Sequence, residues 1–109
     1  MKKFILIFLI GSLYSYSQTL YSVDYKSQAD LNLYVVDYKS QADLLAYKVD
    51  YKSQAKGNEG LWFFVDYKSQ ADLKVFFVDY KSQADLKVFF VDYKSQAGWV
   101  SKEKKHLLY

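Results

Sequence analysis

Short apolar runs and polar segments alternate along this chain of 109 residues, and the alternation recurs almost without change. Runs such as Leu73-Lys74-Val75-Phe76-Phe77-Val78 are rich in β-branched and aromatic residues and bounded by polar turns, which is how a strand reads. The segment between runs is the heptapeptide Val-Asp-Tyr-Lys-Ser-Gln-Ala. It occurs six times, starting at Val23, Val36, Val49, Val65, Val78 and Val91, at spacings of 13, 13, 16, 13 and 13. Four copies continue into Asp-Leu. The third runs into Lys56-Gly57-Asn58-Glu59-Gly60 and the sixth into Gly98-Trp99. A fixed period of this kind means that one local unit is used repeatedly, so the fold must be argued from the repeat.

Two residues before each repeat valine stands an aromatic: Tyr21, Tyr34, Tyr47, Phe63, Phe76 or Phe89. Period-two geometry puts that ring and the valine on one strand face, which predicts a core face that includes Phe76 and Phe89. The intervening positions Val75, Phe77, Val88 and Phe90 are also apolar, so strands in the second half are expected to meet protein on both faces. Ser22 and Lys48 break that second face in the first half and predict less complete burial there. The polar Asp-Tyr-Lys-Ser-Gln-Ala-Asp segment predicts a turn or a single helical turn, its first aspartate capping the following amides, as Asp79 would ahead of Lys81 and Ser82. It contains no glycine, which predicts a backbone free of left-handed angles.

Segment lengths then restrict the architecture. A strand of six residues advances about 20 Å, and a direct return to a parallel neighbour takes a dozen residues or more, so corners of about seven cannot join adjacent parallel strands. An antiparallel meander is one arrangement left, although hairpins favour shorter turns with Gly or Asn. The other is a corner that turns the chain by a fixed angle, so that three repeats make one lap and six make two. Repeats three apart are always separated by 42 residues, which would let lap one pair with lap two in a single register. The fold class predicted on this basis is all-β, strand-rich with short helical turns, in a two-lap arrangement of three plus three repeats. Laps span 19–55 and 61–97, the insert 56–60 is the passage between them, and 98–109 is a basic tail.

Composition supports a folded chain, because 51% hydrophobic and 20% aromatic residues can fill a core. There is no cysteine, so neither a disulfide framework nor a thiolate zinc site is available. At the N-terminus, Met1-Lys2-Lys3, the apolar run Phe4 to Ile10, and the small residues Ser15 and Ser17 read as a signal peptide over 1–17, leaving a single domain over 18–109. An apolar run of about ten residues is too short for a bilayer core that needs about twenty, so the expected location is periplasmic or extracellular without stable membrane insertion. Removing that segment leaves 13 lysines against 12 acids. With no arginine and a balance of +1, the case for a nucleic-acid partner fails.

The tandem Val-Asp-Tyr-Lys-Ser-Gln-Ala-Asp-Leu units, the insert ending Gly60-Leu61-Trp62-Phe63-Phe64-Val65, and the closing Ala97-Gly98-Trp99 with Lys104-Lys105-His106-Leu107-Leu108-Tyr109 resemble the septknot-like family of small bacterial repeat proteins. The resemblance spans about Tyr21 to Tyr109. It implies a compact, strand-rich fold whose backbone forms a deep knot of seven crossings, and it carries no activity to transfer. Topology rules make true knots rare, so period and composition alone do not lead there.

Candidate chemistry is sparse. His106 is the only histidine, no serine is set apart from its five repeat equivalents, and no nucleophile-elbow glycines flank any of them, so no catalytic residue is assigned. The paired aspartates of each unit lack the glycine-rich turns of calcium-binding repeats and carry a lysine between them, so no metal and no cofactor are expected. The turn tyrosines, Tyr67, Tyr80 and Tyr93 in particular, together with Trp99, are the candidate ligand-binding residues for a protein or glycan partner. The competing expectation is that the tyrosine rings pack over the strand ends. The function this predicts is that of an exported, non-enzymatic structural or interaction domain, with a carbohydrate or small-ligand binding module as the alternative.

Overall fold

The computed structural model describes residues 18–108; the predicted signal peptide lies outside them. Seven strands form, β1 (Thr19–Ser22), β2 (Leu31–Val35), β3 (Leu44–Lys48), β4 (Leu61–Phe64), β5 (Leu73–Phe77), β6 (Leu86–Phe90) and the short β7 (Gly98–Trp99). Each heptapeptide forms one 3-10 turn over its Lys-Ser-Gln, and a final 3-10 segment covers Lys102–Leu108. The sheet order is β4-β1-β5-β2-β6-β3, and β3 pairs with β4 again to close a barrel of six parallel strands. Strand β7 runs antiparallel along the lower part of β3, where β4 has not yet begun.

Every strand of lap one therefore lies between two strands of lap two. The meander is excluded, and pairing of one lap with the other holds throughout. Its register is constant but is not the direct 42-residue alignment. Lap-one residues pair with residues 44 positions on along one flank and 53 along the other, as in Leu31 with Val75 and Leu33 with Leu86. Repeat equivalence would give 42 and 55, so each pairing slides by two residues, and β3 with β4 slides likewise, 14 against 16. Six slides of two residues amount to a shear of 12 around a barrel of six strands, which tilts the strands strongly against the barrel axis.

That shear explains the short corners. Ser22 at the end of β1 and Leu31 at the start of β2 both lie beside Val75 of β5, on its opposite flanks. The end of one strand and the start of the next are thus at one height, two strand spacings apart, about 9.6 Å. No return along the barrel is needed. Each corner instead passes over the outside of the strand between, bonded to it at both edges: Val23 N–H donates to the Val75 carbonyl at 2.9 Å and Asp30 N–H to the Lys74 carbonyl at 2.7 Å. Corners starting at Val36, Val65 and Val78 repeat this over β6, β1 and β2, and those at Val49 and Val91 make the leading bond to Trp62 and Ala46. Lap one straps lap two, and lap two straps lap one.

The third connection breaks the rule and makes the second lap possible. Four connections move the chain two strands around the barrel, and a third such step would return it to the place of β1. The three extra residues let β4 settle next to β3 instead. Gly60 is required at this junction, since its φ is +89° and a Cβ there would lie 2.6 Å from the Leu45 carbonyl oxygen.

Faces follow the strand period, but the inward face is the other one. The positions three before each repeat valine, Leu20, Leu33, Ala46, Trp62, Val75 and Val88, are wholly buried and form the central layer of the barrel. The aromatics two before the valine, Phe76 and Phe89 among them, lie on the outer face and are only half-buried. The strand pattern could not separate the faces because the straps cover the outer one and bury the valines that begin them, such as Val36 and Val78. The capping assignment is corrected too. The residue before each 3-10 turn is the tyrosine, and it is the second aspartate of the unit that bonds: Asp30, Asp43 and Asp85 accept the N–H of Lys74, Lys87 and Asn32 at 2.8–2.9 Å on the strapped strand. The expected freedom from left-handed angles holds for all six turns, positive φ among the described residues being confined to Gly57, Gly60 and Gly98.

Candidate functional site

Because all six straps cross strands at the central layer, their outer surfaces form a belt around the barrel. Val and Ala turn toward the strapped strand, while Tyr, Lys, Ser and Gln face outward. Tyr25, Tyr38, Tyr51, Tyr67, Tyr80 and Tyr93 are each 67–68% exposed. The expectation that these rings pack over strand ends is overturned: the valine bonds hold all six straps, the second Asp adds a bond in four of them, and the rings stay exposed. Tyr67, Tyr80 and Tyr93 sit on the straps over β1, β2 and β3, so they occupy alternate places on the belt and do not converge on one pocket.

Trp99 is not part of that belt. It pairs beside Leu44, packs against the core, and donates its indole N–H to the Asn58 carbonyl at 2.7 Å. Here the tail closes the end of the barrel where the strands begin. The Gln18 amide accepts from the Trp62 indole at 2.9 Å and donates to Asn58 Oδ1 at 3.0 Å and to the Leu108 carbonyl at 3.2 Å. Asp43, nearly buried, accepts from Ser101 Oγ, Lys104 Nζ and the Lys87 amide. Burial raises the Asp43 pKa, but the Lys87 amide and the Lys104 and Ser101 side chains outweigh it, and the carboxyl is held below its ordinary value. His106 is exposed, its Nδ1 facing the Glu103 carbonyl at 3.0 Å, with no serine or aspartate joined to it. Among the described residues no cluster of potential metal ligands occurs.

The opposite end, where the strands finish, is open. Its ring is made by the residues just before the repeat valines, in barrel order Phe64, Ser22, Phe77, Val35, Phe90 and Lys48. Three phenylalanines from lap two thus alternate with Ser, Val and Lys from lap one. The Trp62 ring lies beneath, edge-on to Phe64 at 6.3 Å and to Phe90 at 6.0 Å between centroids. The Lys48 ammonium lies 5.3 Å from the Phe64 centroid and 4.7 Å from that of Phe90. Phe77 and Phe90, expected to meet protein, do pack with Phe64 against the core cluster, and Lys48, expected to be incompletely buried, is exposed. The available signal was the column itself, Ser, Val, Lys, Phe, Phe, Phe, the one inward column that mixes polar and aromatic residues.

A family model described as 7(1) septoil knot domain matches residues 17–100. The chain belongs to the septoil knot family. The match spans all six repeats and β7, and the mutual strapping of the two laps is the physical form the family's knotted backbone takes here. No curated protein and no solved structure matches the chain.

Proposed function

We propose that this septoil knot protein is an exported, non-enzymatic interaction domain that presents its belt of six equivalent corners to a partner. The observation that carries this reading is the exposure of the same Tyr-Lys-Ser-Gln surface six times around one barrel. Amphipathic rings flanked by hydroxyl and amide groups suit a partner that offers both apolar faces and hydrogen bonds, and repetition suits a partner that is itself repetitive. A glycan polymer meets both conditions. That favours the carbohydrate reading over a single small ligand, since the tyrosines do not line one pocket.

Export is supported by the charged start, short apolar run and small residues of 1–17. The test compares the wild type with a variant carrying Tyr67→Ala, Tyr80→Ala and Tyr93→Ala. Glycan-array binding or periplasmic pull-down should be lost in the variant while its unfolding free energy stays within about 0.5 kcal/mol per substitution of wild type, as for exposed side chains. Equal retention of every partner by both proteins would remove the belt from consideration. An intact mass matching a chain that starts near Gln18 would support export, and recovery of the chain only uncleaved and only in the cytoplasmic fraction would contradict it.

A further inference from the structure

At the end where the strands finish, phenylalanines that pack against the core also meet a cation. Three phenylalanines from alternate strands, Phe64, Phe77 and Phe90, surround the barrel axis above the Trp62 ring. Phe64 and Phe90 are the two rings that meet a cation, while Phe77 packs on Phe64 at 6.5 Å between centroids and 31° between planes, and such ring faces attract positive charge. The structure already contains such a cation. Lys48 lies within the 6 Å range of two ring centroids, and its ammonium has no carboxylate partner among the described residues. The aminoalkyl chain of Lys48 therefore stands in for whatever cation the walls can accept. It does so weakly, being more than one-third exposed and strongly hydrated when displaced.

Charges of both signs lie beyond the ring. Two residues beyond each ring residue comes the first aspartate of a repeat, Asp24, Asp37, Asp50, Asp66, Asp79 or Asp92, all exposed and all released from the capping bonds that the second aspartate makes. An exposed strap lysine follows each of these acids two residues on, so the preference for a cation rests on the ring faces that Lys48 already meets. A second copy of the chain docked mouth to mouth would bring two Lys48 side chains together and is disfavoured.

The geometry points to the open mouth as an aromatic cage for a quaternary or methylated ammonium group, with Lys48 as its internal, displaceable occupant. Such a group carries its charge on an apolar surface and loses less hydration than a primary ammonium on entering the rings, so it competes well with lysine. The site is independent of the tyrosine belt.

Binding is measured by calorimetry and by ring-proton shifts of the phenylalanines, using the full chain, with choline as the probe and 3,3-dimethyl-1-butanol, its uncharged carbon isostere, as the control. Choline is expected to bind about two- to fivefold more tightly than the isostere, the factor that 0.5–1 kcal/mol of exposed cation–π attraction supplies. Lys48→Ser, which copies the residue at the equivalent place on β1, should tighten choline binding, and Phe90→Leu should weaken it while the circular dichroism spectrum is unchanged. Three results would each overturn the proposal: equal affinity for choline and its isostere, no choline binding by wild type or Lys48→Ser, or loss of binding in Lys48→Ser. If Phe90→Leu fails to fold, the wild-type ratio of choline to isostere and the Lys48→Ser comparison still decide the matter.

Discussion

At the end where its strands begin, the barrel is sealed by Gln18, Asn58, Trp62 and Leu108, which share a closed set of hydrogen bonds drawn from the N-terminal strand, the inter-lap insert and the tail. At the end where they finish, Val35 is exposed, Phe64, Phe77 and Phe90 are half-buried, and the charged member of the ring, Lys48, lies over aromatic faces. The repeats themselves are the same at both ends. The difference arises from departures from the repeat: Gln18 and Gly60 where other strands carry leucine, the insert, and the tail on one side; Ser22, Val35 and Lys48 on the other. A regular repeat builds a uniform barrel, and chemistry at its ends has to come from the exceptions.

The comparison breaks most severely at Trp62, which belongs to both ends. Trp62→Ala removes a wholly buried ring that bonds Gln18 on one side and supports Phe64 and Phe90 on the other, and should cost about 3–5 kcal/mol in urea denaturation. A loss below about 1 kcal/mol would mean that the ring does not fill the barrel. Gln18→Ala confines the damage to the sealed end. It leaves the Trp62 indole N–H and Asn58 Oδ1 unpaired inside the protein, for an expected loss of about 2–3 kcal/mol, and hydrogen exchange should quicken at the insert and tail but not at the phenylalanine ring. Uniform quickening would show the two ends to be one cooperative unit.

Phe77→Ala acts on the open end alone. Half-buried, it should cost about 1–2 kcal/mol, the scale of partial loss of a phenylalanine's apolar contact, and a cost equal to that of Trp62→Ala would show the mouth to be core. The smallest effect concerns Asp43 at the sealed end. Its folded pKa is depressed, so its contribution is complete above the ordinary value of 3.8 and disappears as pH falls through the lower folded value. The stability gap between wild type and Asp43→Asn should be constant from pH 7 to 5 and shrink below about pH 4; a gap that widens on acidification would reverse the assignment.

Much of this architecture could be read from the chain. Segments such as Leu73–Phe77 announce strands, corner length forbids adjacent parallel neighbours, and the single 16-residue spacing locates the passage between laps. Those inferences rest on chain length and local geometry, which act within one repeat. The inward face was not legible, since a strand covered on both sides shows apolar residues at both parities. Nor was exposure of the tyrosines: Tyr80 and Phe76 look equally suited to a core until the strap is known to be held by Val78 and Asp85. The Phe–Lys mouth was hidden for the same reason, because its six members come from six different repeats.

The amino-acid sequence by itself determined the strands, the identical turns and the place where their regular spacing breaks, because each depends on residues close together along the chain; the choice of two laps over a meander came from the strand pairing. Tertiary structure alone decided the two-residue slide at every pairing, and with it which side of each strand faces inward, what the straps cover and which end stays open. That slide is settled by all six strands closing on one another around a shared core, a condition no single repeat can express.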